Sequence, residues 1–406
     1  MIGYKEARAR IDGIKTIFNR CERVALTQAL GRYIFEDIIA PFNYPQSDTA
    51  AMDGYAFKFD ESLSELRLVG ELAAGGSENF SLGFGECVKT FTGAIMSDGS
   101  DTLIPVENVS INGDKVVINS PVRKGFAVRN VGESYHKGDV LIKAGERITY
   151  AHIAVLAELG ISNVGVKLRP KVAVLATGSE IKDLGESLEY RGQIHSSNHV
   201  AIAAMLNQMG CESVLLPIVN DDPVKLKKAL DMALASADVV ISTGGVSVGD
   251  YDFMREFARE FEPIIDKVAI KPGRHIKISK ISHNAKSDSI DFDAGDRLLF
   301  ALPGFTYSAL VTFVLFARPL LLRILSHNSE NATYAVLEDE CKKRGDLTEF
   351  IPCSIRCDEK GTLFASTKDK KIGSSAVSVN LLNEAWLCVL ERDIKVGESV
   401  QIIKMI

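Results

Sequence analysis

The sequence predicts a multidomain α/β and β chain: a central, mostly parallel sheet covered by helices, two small β modules, and an extended N-terminal part. Three observations predict it. Between Pro170 and about Ser326, the apolar runs KVAVLAT, SVLLPIV and DVVIST alternate with helical patterns over Asn198 to Met209 and Pro223 to Ala235, the rhythm of a parallel sheet with crossover helices. From Leu66 to about Val131 the text changes to short alternating runs such as CVKTFTG and KVVINSPV, separated by Gly, Asn and Asp. Beyond His327 that alternation returns, with DEKG as a hairpin turn before LFAS.

In chain order, the first forty residues suggest a helical segment followed by an extended one, as Leu26, Ala29 and Leu30 lead to Gly31 and then to APFNYPQSD. Tyr150 to Leu159 carries apolar residues at helical spacing and stops at Gly160, which suits a glycine-capped helix. A fourth apolar run, RLLFALPG, precedes a long helix ending near Leu325. The most hydrophobic stretch, Tyr307 to Ile324, is broken by Arg318 and Pro319 and so is too short for a bilayer; a buried helix is expected. The polar segment from Ser282 to Asp296 reads as an inserted surface loop.

Composition narrows the function classes. With 46% hydrophobic and 25% charged residues over 406 positions, there is enough apolar surface to offset the ordering entropy, which excludes a disordered or fibrous chain. A net charge of -6 gives no general pull toward nucleic acid or an acidic membrane, so neither is expected as a partner. The opening MIGYKEARARIDGI lacks the apolar core of a signal peptide, and seven scattered cysteines without a CxxC pair read as reduced thiols, so a cytoplasmic location is expected.

In an open parallel sheet the ligand crevice lies beyond the carboxyl ends of the strands. After KVAVLA comes Thr177-Gly178-Ser179-Glu180, after SVLLPIV comes Asn220-Asp221-Asp222-Pro223, and after DVVIS comes the run from Thr243 to Asp252. Glycines there let backbone N–H groups approach an anion closely, and small hydroxyls add donors. Carboxylates beside such a loop need a cation between them and the ligand; Mg²⁺ is the usual one, with Glu180 and Asp221 the best ligands. Asp222 before Pro223 reads instead as a helix N-cap. Lys267, Lys271 and Arg274 place cations on one edge of an acidic protein, where they could grip an oxyanion. His195 and His199 have metal-sharing spacing but no third ligand and read as structural, as do Cys353 and Cys357; Trp386 reads as core.

These strand-end sequences, in this order, resemble the MoeA family, the molybdopterin molybdenumtransferases. The motifs that carry the resemblance are Met52-Asp53-Gly54-Tyr55-Ala56, Phe91-Thr92-Gly93-Ala94, Ala176 to Ile181, Asp221-Asp222-Pro223, Ser242 to Asp252, Lys271-Pro272-Gly273 and Leu302-Pro303-Gly304. The resemblance implies an elongated chain of four domains, more than the two or three that length alone predicts. They are an extended domain from 1–38 and 131–168, an inserted β domain at 39–130, an α/β molybdopterin-binding domain at 169–326 and a C-terminal β-barrel at 327–406.

It also implies a homodimer with a shared site, and Mg²⁺-dependent cleavage of adenylylated molybdopterin, releasing AMP, with molybdenum from molybdate inserted into the dithiolene. A transient contact with the molybdopterin adenylyltransferase follows from that substrate. The catalytic set maps onto Asp53, Glu180, Asp221, Asp252, Lys267 and Lys271, with Glu180 and Asp221 holding Mg²⁺. Substrate contacts map onto Thr92, Gly178, Ser179, Ser242, Gly244, Gly245, Ser247, Arg274, Pro303 and Gly304. Asp53 is expected to act across the dimer interface. The alternatives are a gephyrin-like scaffold with a degenerate site and an adenylyltransferase-like activity. The sequence departs from the family at Ser134, where an acid is usual, and at Phe305 and Thr306, where Asn-Pro is usual. It departs again around Leu347 to Pro352, where arginines are replaced and Glu349-Phe350 remain.

Overall fold

The structure is a computed structural model; it describes residues 1–14, 20–76, 78, 80–246, 253–281, 296–326, 331–368, 370, 378–382 and 385–405. The chain forms two compact units. The first holds Met1–Phe35, Gly145–Ile153 and Asn163–Ile406, and the second Glu36–Ala144 and Ala154–Ser162.

The first unit is built on a six-stranded sheet. Its strands are β1 (Lys171–Ala176), β2 (Glu212–Leu215), β3 (Val239–Thr243), β4 (Glu262–Ile265), β5 (Lys277–Ile281) and β6 (Arg297–Leu302), in spatial order β2-β1-β3-β6-β5-β4. Neighbours among β2, β1, β3 and β6 run parallel, while β5 is antiparallel to both β6 and β4. Strand alternation feeds two cores: Val172, Val174, Val239, Ile241, Leu298 and Phe300 face one layer, and Ala173, Leu175, Val240, Leu299 and Ala301 the other.

Helix α1 (Tyr4–Gly13) and helix α2 (Asn198–Met209) cover the first face, and helix α3 (Pro223–Ser236) the second. Between β1 and β3 the chain switches direction along the sheet, so the crevice expected beyond the strand ends opens there. Asp222 caps α3, its Oδ1 accepting from the N–H groups of Val224 (2.9 Å) and Lys225 (3.1 Å).

Two sequence expectations change. The N-terminal helix is Tyr4–Gly13, which buries Ala7 and Ile11 one turn apart, whereas Leu26 to Gln28 makes a single 3-10 turn. The long buried helix expected to end near Leu325 is α4, Thr306–Ser326, with 89% of its most apolar stretch buried inside the protein; what changes is its length, 21 residues, because Arg318-Pro319 does not interrupt it. The helix is long enough to cross a membrane by length and composition, but it is a core element here. A π turn at Phe313–Ala317 precedes Pro319, whose missing N–H orphans the carbonyl of Leu315. Arg8 of α1 satisfies that carbonyl, Nη1 donating at 2.9 Å.

Beyond α4, β7 (Thr333–Leu337), β8 (Thr348–Cys357), β9 (Leu363–Ser366), β10 (Trp386–Leu390) and β11 (Ser399–Lys404) pair in the order β8-β9-β7-β11-β10. β10 then pairs back onto β8, closing a five-stranded barrel. Closure is possible because β8 is long: its first half pairs with β10 and its second half with β9. The β8–β9 connection is the expected hairpin, with Gly361 at φ +82° and the Asp358 N–H donating to the Thr362 carbonyl at 3.0 Å. Phe350, Leu387 and Val389 on the outside of the barrel join the core of the α/β layer.

In the second unit, Thr102–Pro105, Gly54–Phe57, Glu86–Thr90, Glu65–Leu72, Lys115–Ile118 and Val109–Asn112 form a six-stranded sheet in that order, over a core of Tyr55, Phe57, Leu66, Cys87, Ile104 and Val116. The helix expected from Tyr150 spans Tyr150–Glu158 and ends at Gly160, whose N–H donates to Ala157 at 2.9 Å and whose φ is +74°.

Candidate functional site

The four parallel strands deliver their following residues to one edge of the sheet. A bridge from Thr177 to Val219 extends the β1–β2 pairing, and Gly244 N–H donates to the Leu302 carbonyl at 3.1 Å, so these turns lie side by side. Close approach explains two of the glycines. A Cβ on Gly244, at φ +96°, would lie 2.5 Å from the Thr177 carbonyl oxygen, and one on Gly178, at φ +146°, would lie 2.7 Å from Glu180 Oε2. Together they wall a cleft of about 440 Å³ that Glu180, Asp221, Gly245, Pro303, Gly304 and Arg274 also line.

Its acidic half is locally braced. Ser179 N–H donates to Asp221 Oδ2 at 3.0 Å, and Asp221 N–H donates to Ser179 Oγ at 3.1 Å, so each residue fixes the other. Among the described residues, Asp221 and Glu180 are the two carboxylates on the cleft, and no cluster of three or more metal-ligating residues occurs. Two carboxylates suit Mg²⁺, which keeps several waters and takes phosphate oxygens, and would not cage a metal by themselves. The Pro303-Gly304-Phe305-Thr306 turn lacks the usual amide of its own, but Asn198 at the start of α2 reaches it, Nδ2 donating to the Gly304 carbonyl at 2.6 Å.

The basic half follows β4. Lys271, Arg274 and His275 line a second cleft of about 380 Å³ that shares Gly273, Arg274, His275, Phe305 and Ser308 with the first. A Cβ on Gly273, at φ +95°, would lie 2.2 Å from Thr312 Cγ2, which shows how tightly this loop is seated on α4. Ile270–Lys271 pairs in parallel with Thr348–Glu349, so the barrel's β8 supplies Glu349 and Phe350 to the same wall. Burial, then the charges of Lys267, Arg274, Lys277 and Arg255, push the His275 imidazole below its ordinary pKa, so it is neutral at pH 7 amid cations.

The remaining expected residues fall as follows. Lys267 lines neither cleft, though its charge acts on His275, and its carbonyl accepts from Ile2 N–H at 3.0 Å. Ser242 is fully buried inside the sheet, and its hydroxyl has no partner among the described residues. Ser247 and Asp252 lie outside the described residues, as does the 282–295 part of the expected loop. In the second unit, Asp53 and Thr92 meet: Asp53 Oδ1 accepts from the Thr92 N–H (2.8 Å) and hydroxyl (2.7 Å). Those two bonds, the backbone one first, with Lys89 adding, hold the Asp53 carboxyl below the usual range. His199 is a buried structural residue, its Nδ1 in contact with Ser196 Oγ, and Trp386 sits on β10 half-buried rather than in the core. His275, Tyr307, Ser308 and Glu349 line the clefts but were not foreseen; the motif Lys271-Pro272-Gly273 was the nearest signal.

Comparison with known proteins bears on this geometry. The family profile described as MoeA N-terminal region (domain I and II) matches residues 2–160, and one described as probable molybdopterin binding domain matches residues 173–323. A curated protein named molybdopterin molybdenumtransferase from Nostoc sp. is 33% identical over 402 residues, covering 95% of this chain and 88% of its own. Another of that name from Haemophilus influenzae is 32% identical over 80% of this chain and 78% of its own. The crystal structure of the molybdopterin biosynthesis MoeA protein from Pyrococcus horikoshii superposes with a TM-score of 0.81 at 28% identity, covering 100% of this chain and 99% of that one.

Proposed function

We propose, from the premise that this chain belongs to the MoeA family, that it inserts molybdenum from molybdate into adenylylated molybdopterin and hydrolyses the adenylate to AMP. The observation that carries this reading is the meeting of an acidic and a basic half on adjoining clefts at one sheet edge. A substrate with a pyrophosphate and a second, separate oxyanion calls for that pairing.

In this reading Gly178, Gly244, Gly245 and Gly304 let the backbone come close to the phosphates, and Asn198 keeps the Gly304 turn in place. Glu180 and Asp221 would hold Mg²⁺, with Ser179 N–H orienting the Asp221 carboxylate. When bound, that ion offsets the charge of the phosphates at the bond to be cleaved. Lys271 and Arg274 draw molybdate to the adjoining cleft, Lys267 adding charge from outside it. The protein acts as a homodimer, the Asp53–Thr92 pair of one protomer serving the other's site, and takes its substrate from the molybdopterin adenylyltransferase in a transient contact. Its seven free cysteines suit a reducing cytoplasm. The match over residues 2–160 favours this reading over an adenylyltransferase-like one, whose relatives resemble only the α/β part.

The test is AMP release from adenylylated molybdopterin with Mg²⁺ and molybdate. Asp221→Ala is expected to lower the rate by roughly a hundredfold or more. Wild-type release no faster than background, or release indifferent to Asp221→Ala, would refute the assignment. Sedimentation showing a monomer at micromolar concentration would refute the dimer.

A further inference from the structure

We propose that Glu349 is a resident counter-ion of Lys271, which an incoming oxyanion must displace, and that this carboxylate holds back the binding of tetrahedral anions, doubly charged ones more than singly charged. The proposal rests on the reading of the basic cleft as an oxyanion subsite.

The pairing is set by the backbone. Lys271 and Glu349 are register partners where Ile270–Lys271 joins β8, so the two side chains start from adjacent positions. Their charged atoms stand 3.9 Å apart, Nζ to Oε1, which is an ion pair without a hydrogen bond. Exposure is unequal: the Glu349 side chain is 3% exposed and that of Lys271 is 41% exposed. The carboxylate is therefore a fixed floor, held by the Arg344 N–H at 3.0 Å, and the ammonium is a movable group at the mouth. Glu349 is the one carboxylate among the described residues lining this cleft; Lys271, Arg274 and the neutral His275 face it, and the rest of the wall is largely apolar, including Phe305, Phe350 and Pro352.

A low-dielectric wall strengthens both attraction and repulsion. A monoanion entering here exchanges one negative neighbour of Lys271 for another and still meets the repulsion of Glu349. A dianion of the same shape brings twice the attraction to Lys271 and Arg274 and meets twice the repulsion of Glu349, so removing that carboxylate's charge gains more for the dianion. Perrhenate and tungstate are such a pair, nearly equal in size and tetrahedral, differing by one charge. Glutamine at 349 keeps an acceptor for the Arg344 N–H while removing the charge, so it tests the charge alone.

The experiment is equilibrium dialysis of the full chain against molybdate, tungstate and perrhenate at fixed pH and ionic strength. Wild type, Glu349→Gln, Glu349→Asp, Lys271→Met and the Lys271→Met/Glu349→Gln double variant are compared, each checked by thermal melting. Wild type should bind both dianions, and perrhenate more weakly, through Lys271 and Arg274. Glu349→Gln should tighten the dianions about tenfold and perrhenate by a smaller factor. Glu349→Asp should keep wild-type selectivity, Lys271→Met should weaken dianion binding, and the double variant should lose the gain. Unchanged or weaker dianion binding in Glu349→Gln, a gain that survives Lys271→Met, or no binding of any anion to wild type and Glu349→Gln would each overturn the proposal. AMP release separates the two readings. Molybdate-dependent release whose half-saturation is unmoved by Glu349→Gln keeps the transferase and rejects the counter-ion. The predicted change in selectivity without any AMP release does the reverse.

Discussion

The acidic and basic halves of the paired clefts are held in different ways. Glu180, Asp221 and the glycine turns lie within a few residues of strands β1, β2 and β3, so the sheet that buries Val174 and Ile241 also aims them. Lys271, Arg274 and His275 sit on an irregular segment between β4 and β5, and their placement depends on a two-residue pairing with the barrel and on α4 beneath Gly273. The first half is thus as rigid as the sheet core. The second is only as rigid as that short pairing and the packing of its loop on α4, which makes it the place where ligand preference can change without disturbing the fold.

Three perturbations sharpen this contrast. The largest effect is expected from Gly244→Val, which demands a side chain at φ +96° and 2.5 Å from the Thr177 carbonyl. Strain and overpacking of about 1–3 kcal/mol each should lower Tm by several degrees, and AMP release should fall to the percent level or below. Normal melting and turnover in that variant would show the acidic half to be softer than the sheet that carries it. Next comes Gly273→Ala, whose methyl would meet Thr312 Cγ2 at 2.2 Å. We expect a loss of about 1–3 kcal/mol in chemical denaturation and a rise of several-fold in half-saturating molybdate, with the adenylate affinity little changed. Equal damage to both ligands would erase the distinction between the halves.

The smallest effect concerns acid. His275 has its folded-state pKa pushed below the ordinary 6.5 by burial and by Lys267, Arg274, Lys277 and Arg255. As pH falls, the unfolded chain therefore takes the proton first, so the stability this residue contributes is complete above pH 6.5 and is lost as pH drops through the folded value. Buried His199 is shifted in the same direction and adds to the slope. Replacing His275 by Gln should flatten the fall of Tm between about pH 7 and 5 in part. Superimposable profiles for the variant and wild type would place that slope elsewhere.

What could be read from the sequence follows the same division. Helix α2 has the bounds that its apolar spacing indicates, and β1, β3 and β6 match their apolar runs, because each buries both faces and so writes a continuous signal. Strand β5 was hidden: KISKI reads as polar, yet Lys277 and Lys280 are both buried, Lys280 pairing with Asp296 at 3.2 Å. The Glu180 and Asp221 positions were legible from local turn chemistry. Glu349 was not, since its role arises from a register between distant segments, and no window of sequence contains both partners. The meeting of Asp53 with Thr92 was concealed for the same reason, although each stood out singly.

One consequence concerns the order in which the protein can be made. Arg8 occupies the carbonyl that Pro319 orphans, Arg323 returns to the carbonyls of Ile11 (2.5 Å) and Ile14 (3.1 Å) at the end of α1, and Ile2 bridges to Val268. Arg318, one residue before that proline, donates to the carbonyls of Lys404 (2.5 Å) and Met405 (2.8 Å). Helix α1 therefore closes on α4, 307 residues later for Arg8 and Leu315, and α4 in turn on the end of β11. The second unit can condense while the rest of the first is still being translated, but the unit that carries the clefts is completed only once β11 has emerged.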